Sequence, residues 1–96
     1  MKMLMLVYSG PTPQRISSLL DRQHTGGYTE FRNAHGVGET GRREGSRAWP
    51  GESTLWVSVV PGEQSDELVN LLRAETALLP SGERLHVAVL PTETFF

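Results

Sequence analysis

The chain opens on an apolar run, "MLMLVY" (Met3 to Tyr8), closed by Ser9-Gly10-Pro11. A segment apolar at consecutive rather than alternate positions suits a strand covered on both faces, so this run predicts a central strand. Thr12 and Pro13 then supply a helix start, the threonine as N-cap and the proline in the first turn, where its missing N–H costs nothing. Ile16, Leu19 and Leu20 fall at i, i+3 and i+4, which predicts a helix of about three turns closed by Gly26-Gly27. The pattern weakens in "YTEFRNAHGV" (Tyr28 to Val37). Phe31 and Val37 fall on one side and Glu30 and Arg32 on the other, predicting a half-exposed or edge strand. "TLWVSVV" (Thr54 to Val60) is β-branched and aromatic, with Leu55, Val57 and Val59 pointing one way and Trp56 and Val60 the other, and Pro61-Gly62 stops it. Ser65 is read as the cap of "DELVNLLRAETALL", whose Asp66 and Glu67 sit in the first turn, where the helix dipole favours negative charge. Leu68, Val69, Leu72 and Leu79 trace its buried face. After Pro80-Ser81-Gly82, "RLHVAVL" (Arg84 to Leu90) alternates as a strand halted by Pro91, and "TETFF" is left as a tail.

The order βαββαβ predicts an α+β, ferredoxin-like fold, a four-stranded antiparallel sheet with two helices on one face. Residues 1–96 read as one such domain. Two helices cover a single face, yet the first and third strands are apolar on both sides. The second face is therefore expected to meet another subunit, or else to be covered by Phe95 and Phe96 of the tail.

The connection over 36–53 far exceeds an ordinary hairpin loop and points to a functional or a disordered segment. Its glycines at 36, 38, 41, 45 and 51 leave backbone N–H groups free, and Arg42, Arg43 and Arg47 add forked donors. That combination suits an anion or a partner's carboxylates. Glu39, Glu44 and Glu52 interleave with the arginines, so a solvated hairpin is the alternative. Trp49 is either an anchor for the loop base or an exposed partner contact. Gly36-Val37-Gly38 follows a strand but opens no helix, and the dinucleotide-binding fingerprint requires both.

Composition narrows the choices. Nine Lys and Arg against eleven Asp and Glu give a net charge of −2, with no basic excess to displace counterions from a nucleic acid. No cysteine is present, which removes disulfides, thiolate nucleophiles and Cys-based metal sites. The apolar N-terminal run is too short to span or insert into a membrane, and a cytoplasmic protein is expected. His24, His35 and His86 show no short-spaced pairing. A metal site would need them to converge in space, with His35 and His86 as weak candidates for ligands or for the base of a cofactor-free enzymatic cleft. No "GxSxG" surrounds any serine, and no catalytic residue is assigned.

The stretch "GGYTEFRNAHGVGETGRREG" resembles the region of PII signalling proteins where a helix ends in glycine, "G-x-T" opens the second strand and "G-x-G" introduces the T-loop. Gly27-Tyr28-Thr29 and Gly36-Val37-Gly38 are the matching residues. The βαββαβ order, the first strand "MKMLMLV" and the Val-rich third strand ending at a proline extend the resemblance over nearly the whole chain. It implies a non-enzymatic homotrimer with small effectors, ATP, ADP, AMP or another small anion, bound in clefts between subunits. It also implies a T-loop, here 36–53, that touches a membrane transporter or an enzyme. Taken with the loop's own chemistry, the candidate ligand contacts are Gly36, Val37, Gly38, Arg42, Arg43, Arg47, Gly82 and Arg84, with Trp49 as the candidate partner contact. The chain departs from the family in four places. One extra residue separates Thr29 from Gly36, and Thr40 stands where a metal-coordinating glutamine is found. The T-loop carries no tyrosine for uridylylation, and the second nucleotide-binding segment shrinks to "PSGER", leaving Gly82, Glu83 and Arg84. The CutA group, similar in fold and trimer, is the rival resemblance and implies a divalent-metal-binding protein.

Overall fold

The structure, a computed structural model, describes residues 1–23, 26–38, 41–42 and 52–96. Along the chain run β1 (Lys2–Ser9), α1 (Gln14–Arg22), β2 (Thr29–His35), a short β3 (Val37–Gly38) and β4 (Gly41–Arg42), β5 (Glu52–Val60), α2 (Gly62–Ala77) and β6 (Arg84–Pro91). The long strands form one antiparallel sheet in the order β2-β5-β1-β6, so β1 is central, as its continuous apolar run predicts, and β5 lies beside it. Both connections through a helix skip a strand position, which gives the ferredoxin-like arrangement predicted from the element order.

Both helices lie on one side of this sheet. Leu4, Leu6 and Tyr8 of β1, Trp56 and Val60 of β5 and Leu85 of β6 form a single buried cluster with Ile16, Leu19 and Leu20 of α1 and Leu68 and Leu72 of α2. Val69 and Leu79 pack against its margin. The i, i+3, i+4 stripe of α1 and the alternation in β5 thus find each other, and burying these side chains contributes about 1.5–3 kcal/mol apiece.

The local starts and stops differ from the sequence reading in several places. Helix α1 ends at Arg22, with Gln23 as a right-handed cap, rather than at Gly26-Gly27, and β3 and β4 lie within the segment read as loop. Thr12 does not cap α1 through its side chain, because its hydroxyl pairs with the phenol of Tyr8 at 3.1 Å. Ser65 is not a cap. Helix α2 begins directly after Pro61, its first turn carries Glu63 rather than Asp66 or Glu67, and Ser65 N–H donates to the Pro61 carbonyl at 2.9 Å. The Ser65 side chain is buried instead. Strand β2 ends at His35, not Val37, and carries a bulge between Phe31 and Ala34 with Asn33 at φ 59°. The extra residue breaks the alternation that placed Phe31 and Val37 together. β5 begins at Glu52, two positions before Thr54, within the segment read as loop.

Candidate functional site

Strand register sorts the remaining side chains. Residues paired across strands share a face, so the face opposite the helices carries successive rows. These are Val59-Met3-Leu90, then Thr29-Val57-Met5-Ala88, then Phe31-Leu55-Val7-His86. Ala34-Ser53-Ser9-Arg84 completes the face at the other end. The surface is therefore apolar through most of its length and turns polar where β1 ends. Its central members are half-buried within one subunit, while Phe31 and Leu90 are exposed. The tail does not cover it. Phe96 is fully exposed, and Phe95, itself 62% exposed, reaches only the corner beside Thr29, Val57 and Val59.

At the polar end four chain segments meet: the exit of β1 at Ser9-Gly10, the exit of β2 at His35-Gly36, the entry of β5 at Glu52-Ser53 and the entry of β6 at Arg84. The hydroxyls of Ser9 and Ser53 lie 2.8 Å apart and tie β1 to β5 there. Gly36 leaves β2 exposed, and Val37 and Gly38 pair with Arg42 and Gly41 in the small β3–β4 hairpin. Gly82 and Arg84 lie at the other edge of the same end. Gly82 holds φ 91° in a turn closed by Glu83 N–H to the Pro80 carbonyl at 3.1 Å, a conformation that costs strain in any residue with a Cβ. The β3–β4 hairpin and the Gly82–Arg84 turn thus stand at opposite edges of one sheet end, about 14 Å apart across three strand spacings. Arg43, Arg47 and Trp49 lie outside the described residues.

His35 and His86 do not come together. His35 is paired with Glu52 and His86 with Val7, which puts them on opposite faces of the sheet and on its two edge strands. Among the described residues no group of three or more His, Cys, Asp or Glu could hold a metal ion.

Sequence reasoning missed a polar cluster beneath the β1–α1 loop. The Tyr8 phenol, 1% exposed, donates to Glu83 Oε1 at 2.5 Å. With its one proton committed, its oxygen accepts the Thr12 N–H at 3.2 Å and the Thr12 hydroxyl at 3.1 Å. Burial, and next the bond to Glu83, hold the Tyr8 pKa above the ordinary phenol value. Gly10 lies against the ring. A Cβ there would meet Tyr8 Oη, sit 2.7 Å from Tyr8 Cζ and 3.0 Å from Glu83 Cγ, so glycine is demanded by close approach. The signal available in the sequence was a tyrosine ending an otherwise aliphatic strand, whose hydroxyl had to find a partner once buried.

No protein-family model matches the sequence, and neither does any curated protein. Solved structures do. CPII, a nitrogen regulatory PII-like protein from Thiomonas intermedia K12 bound to ADP, AMP and bicarbonate, superposes with a TM-score of 0.65 at 23% identity, over 93% of this chain and 86% of that one. Its apo form gives 0.62 at 21% identity, over 93% and 87%. A PII-like signalling protein structure from Thermus thermophilus gives 0.58 at 20% identity, over 93% and 86%. With the four-stranded antiparallel sheet, its two helices on one face and its strand order all in place, the chain has the fold of the PII-like signalling proteins.

Proposed function

We propose that this protein is a non-enzymatic, PII-like regulator of the cytoplasm. It assembles as a homotrimer through the open sheet face and binds a small anionic effector, an adenine nucleotide such as ADP or AMP, in clefts between subunits. The observation that carries the reading is the apolar open face, Met3, Met5, Val7, Leu55, Val57, Val59, Ala88 and Leu90, on a fold shared with a nucleotide-bound PII-like protein. A monomer leaves that surface in water, whereas a closed ring buries it. A ring also explains a site split between two edges. It brings the β2 edge of one subunit toward the β6 edge of the next, so that Gly36, Val37, Gly38 and Arg42 can face Gly82 and Arg84 across the boundary. Arg43 and Arg47 extend that set, and Trp49 with the rest of 36–53 acts as the T-loop-like arm toward a transporter or an enzyme. The net charge of −2 argues against a nucleic-acid partner. No helix of the described residues is long and apolar enough to cross a membrane.

Native mass spectrometry of the purified protein, alone and with ATP, ADP, AMP, cyclic AMP and bicarbonate, tests the assembly and the ligand together. A trimer that gains up to one nucleotide per subunit supports the reading, and alanine at Arg42, Arg43 and Arg47 then weakens binding. A monomer or dimer that ignores every ligand rejects it.

A further inference from the structure

The turn between α2 and β6 presents a problem of charge. Gly82 and Arg84 offer a backbone amide and a guanidinium to an anion, but the residue between them is a carboxylate. Free to swing, Glu83 would stand beside any phosphate that its neighbours hold, and like charges at such a distance oppose binding. In the structure it is not free. Its Oε1 accepts the Tyr8 O–H at 2.5 Å, its Cγ lies over Gly10, and its side chain is half-buried. Tyr8 is itself held from three sides, by the core around its ring and by the N–H and hydroxyl of Thr12 on its oxygen. The Arg15 guanidinium is engaged by Glu75 at 2.5 Å and by the Leu78 carbonyl at 3.5 Å, and adds only a longer-range attraction to Glu83 on the same side.

We propose that Tyr8 is a positioning residue of the effector site: its buried hydroxyl draws the Glu83 carboxylate onto the β1–α1 loop, so that Gly82 and Arg84 meet an anionic ligand without an opposing charge between them. The inference rests on the reading of Gly82 and Arg84 as ligand contacts, and deepens it by giving the site a specificity device remote from the ligand. Tyr8 touches no ligand. Its effect passes wholly through where Glu83 lies.

The test is ADP affinity by isothermal titration calorimetry for the wild type, Tyr8→Phe, Glu83→Gln and the double variant, each at low and moderate salt. Tyr8→Phe releases the carboxylate and weakens ADP binding about tenfold, a typical coupling for neighbouring groups. The double variant, with nothing to repel, returns to within about twofold of the wild type. Loss of packing alone cannot produce that rescue. Glu83→Gln by itself keeps an acceptor for the Tyr8 hydroxyl and changes affinity less than about twofold, because the charge it removes already lies aside. This variant keeps the proposal testable should Tyr8→Phe fail to fold. Wild-type binding with an unaltered Tyr8→Phe, a double variant as weak as the single one, or a large gain in Glu83→Gln overturns the assignment alone. A wild type that binds no ADP overturns the reading of the site and the assignment with it.

Discussion

The indole N–H of Trp56, fully buried at the centre of the sheet, donates to the carboxylate of Glu30 on the edge strand at 2.8 Å. The same Oε1 accepts the Ser17 hydroxyl of α1 at 2.8 Å, and Oε2 accepts Arg32 Nε at 2.6 Å. One carboxylate thus joins β5, β2 and α1, and satisfies a buried donor that would otherwise be costly.

That arrangement makes a pH prediction. Arg32 first, then Ser17 and Trp56, hold the Glu30 pKa below its ordinary value. A depressed folded value contributes stability above the unfolded pKa of about 4.3, and the contribution is lost as pH falls through the folded value. Denaturant unfolding of Glu30→Gln should show a loss of about 1 kcal/mol at neutral pH, with wild type and variant converging in acid. A constant gap between the two curves at all pH values would assign the effect to packing rather than to charge.

Gly10→Ala places a methyl group against the Tyr8 ring and the Glu83 side chain. Both belong to a bonded cluster, so relief requires breaking it, at about 1–3 kcal/mol. Thermal unfolding should register the loss. An unchanged melting temperature would mean that the β1–α1 loop moves aside freely.

Leu72 and Leu78 lie near the end of α2 in opposite surroundings, the first in the core and the second 68% exposed just past the helix. Leu72→Ala should lose about 2–5 kcal/mol and Leu78→Ala less than about 0.5. Equal losses in denaturant titrations would contradict the burial described for this helix.

Met5 sits at the middle of the open face, paired with Val57 on one side and Ala88 on the other. Met5→Lys leaves the helix-covered core untouched and puts a charge where the proposed assembly is dry. Light scattering should find a monomer with an unchanged circular dichroism spectrum. Retention of the assembly would place the subunit contact elsewhere.

Sequence alone determined the order of the two helices and four long strands, the central place of β1 and the existence of a second apolar face, because each follows from a local period. Continuous apolar runs mark strands covered on both sides, alternation assigns Trp56 and Val60 to one face and Val57 and Val59 to the other, and the i, i+3, i+4 spacing orients Ile16, Leu19 and Leu20 inward. The helix starts were open to competition. Thr12 and Ser65 have the chemistry of caps, but a buried phenol took the first, and the second is buried inside a helix that already starts at Gly62. The polar partnerships lay beyond any local pattern. Tyr8 and Glu83 are 75 positions apart and Trp56 and Glu30 are 26 apart. Only the register of β1 against β6 and of β5 against β2 decides which side chains a buried hydroxyl or indole can reach, and that register is set by the packing of the whole sheet against its two helices.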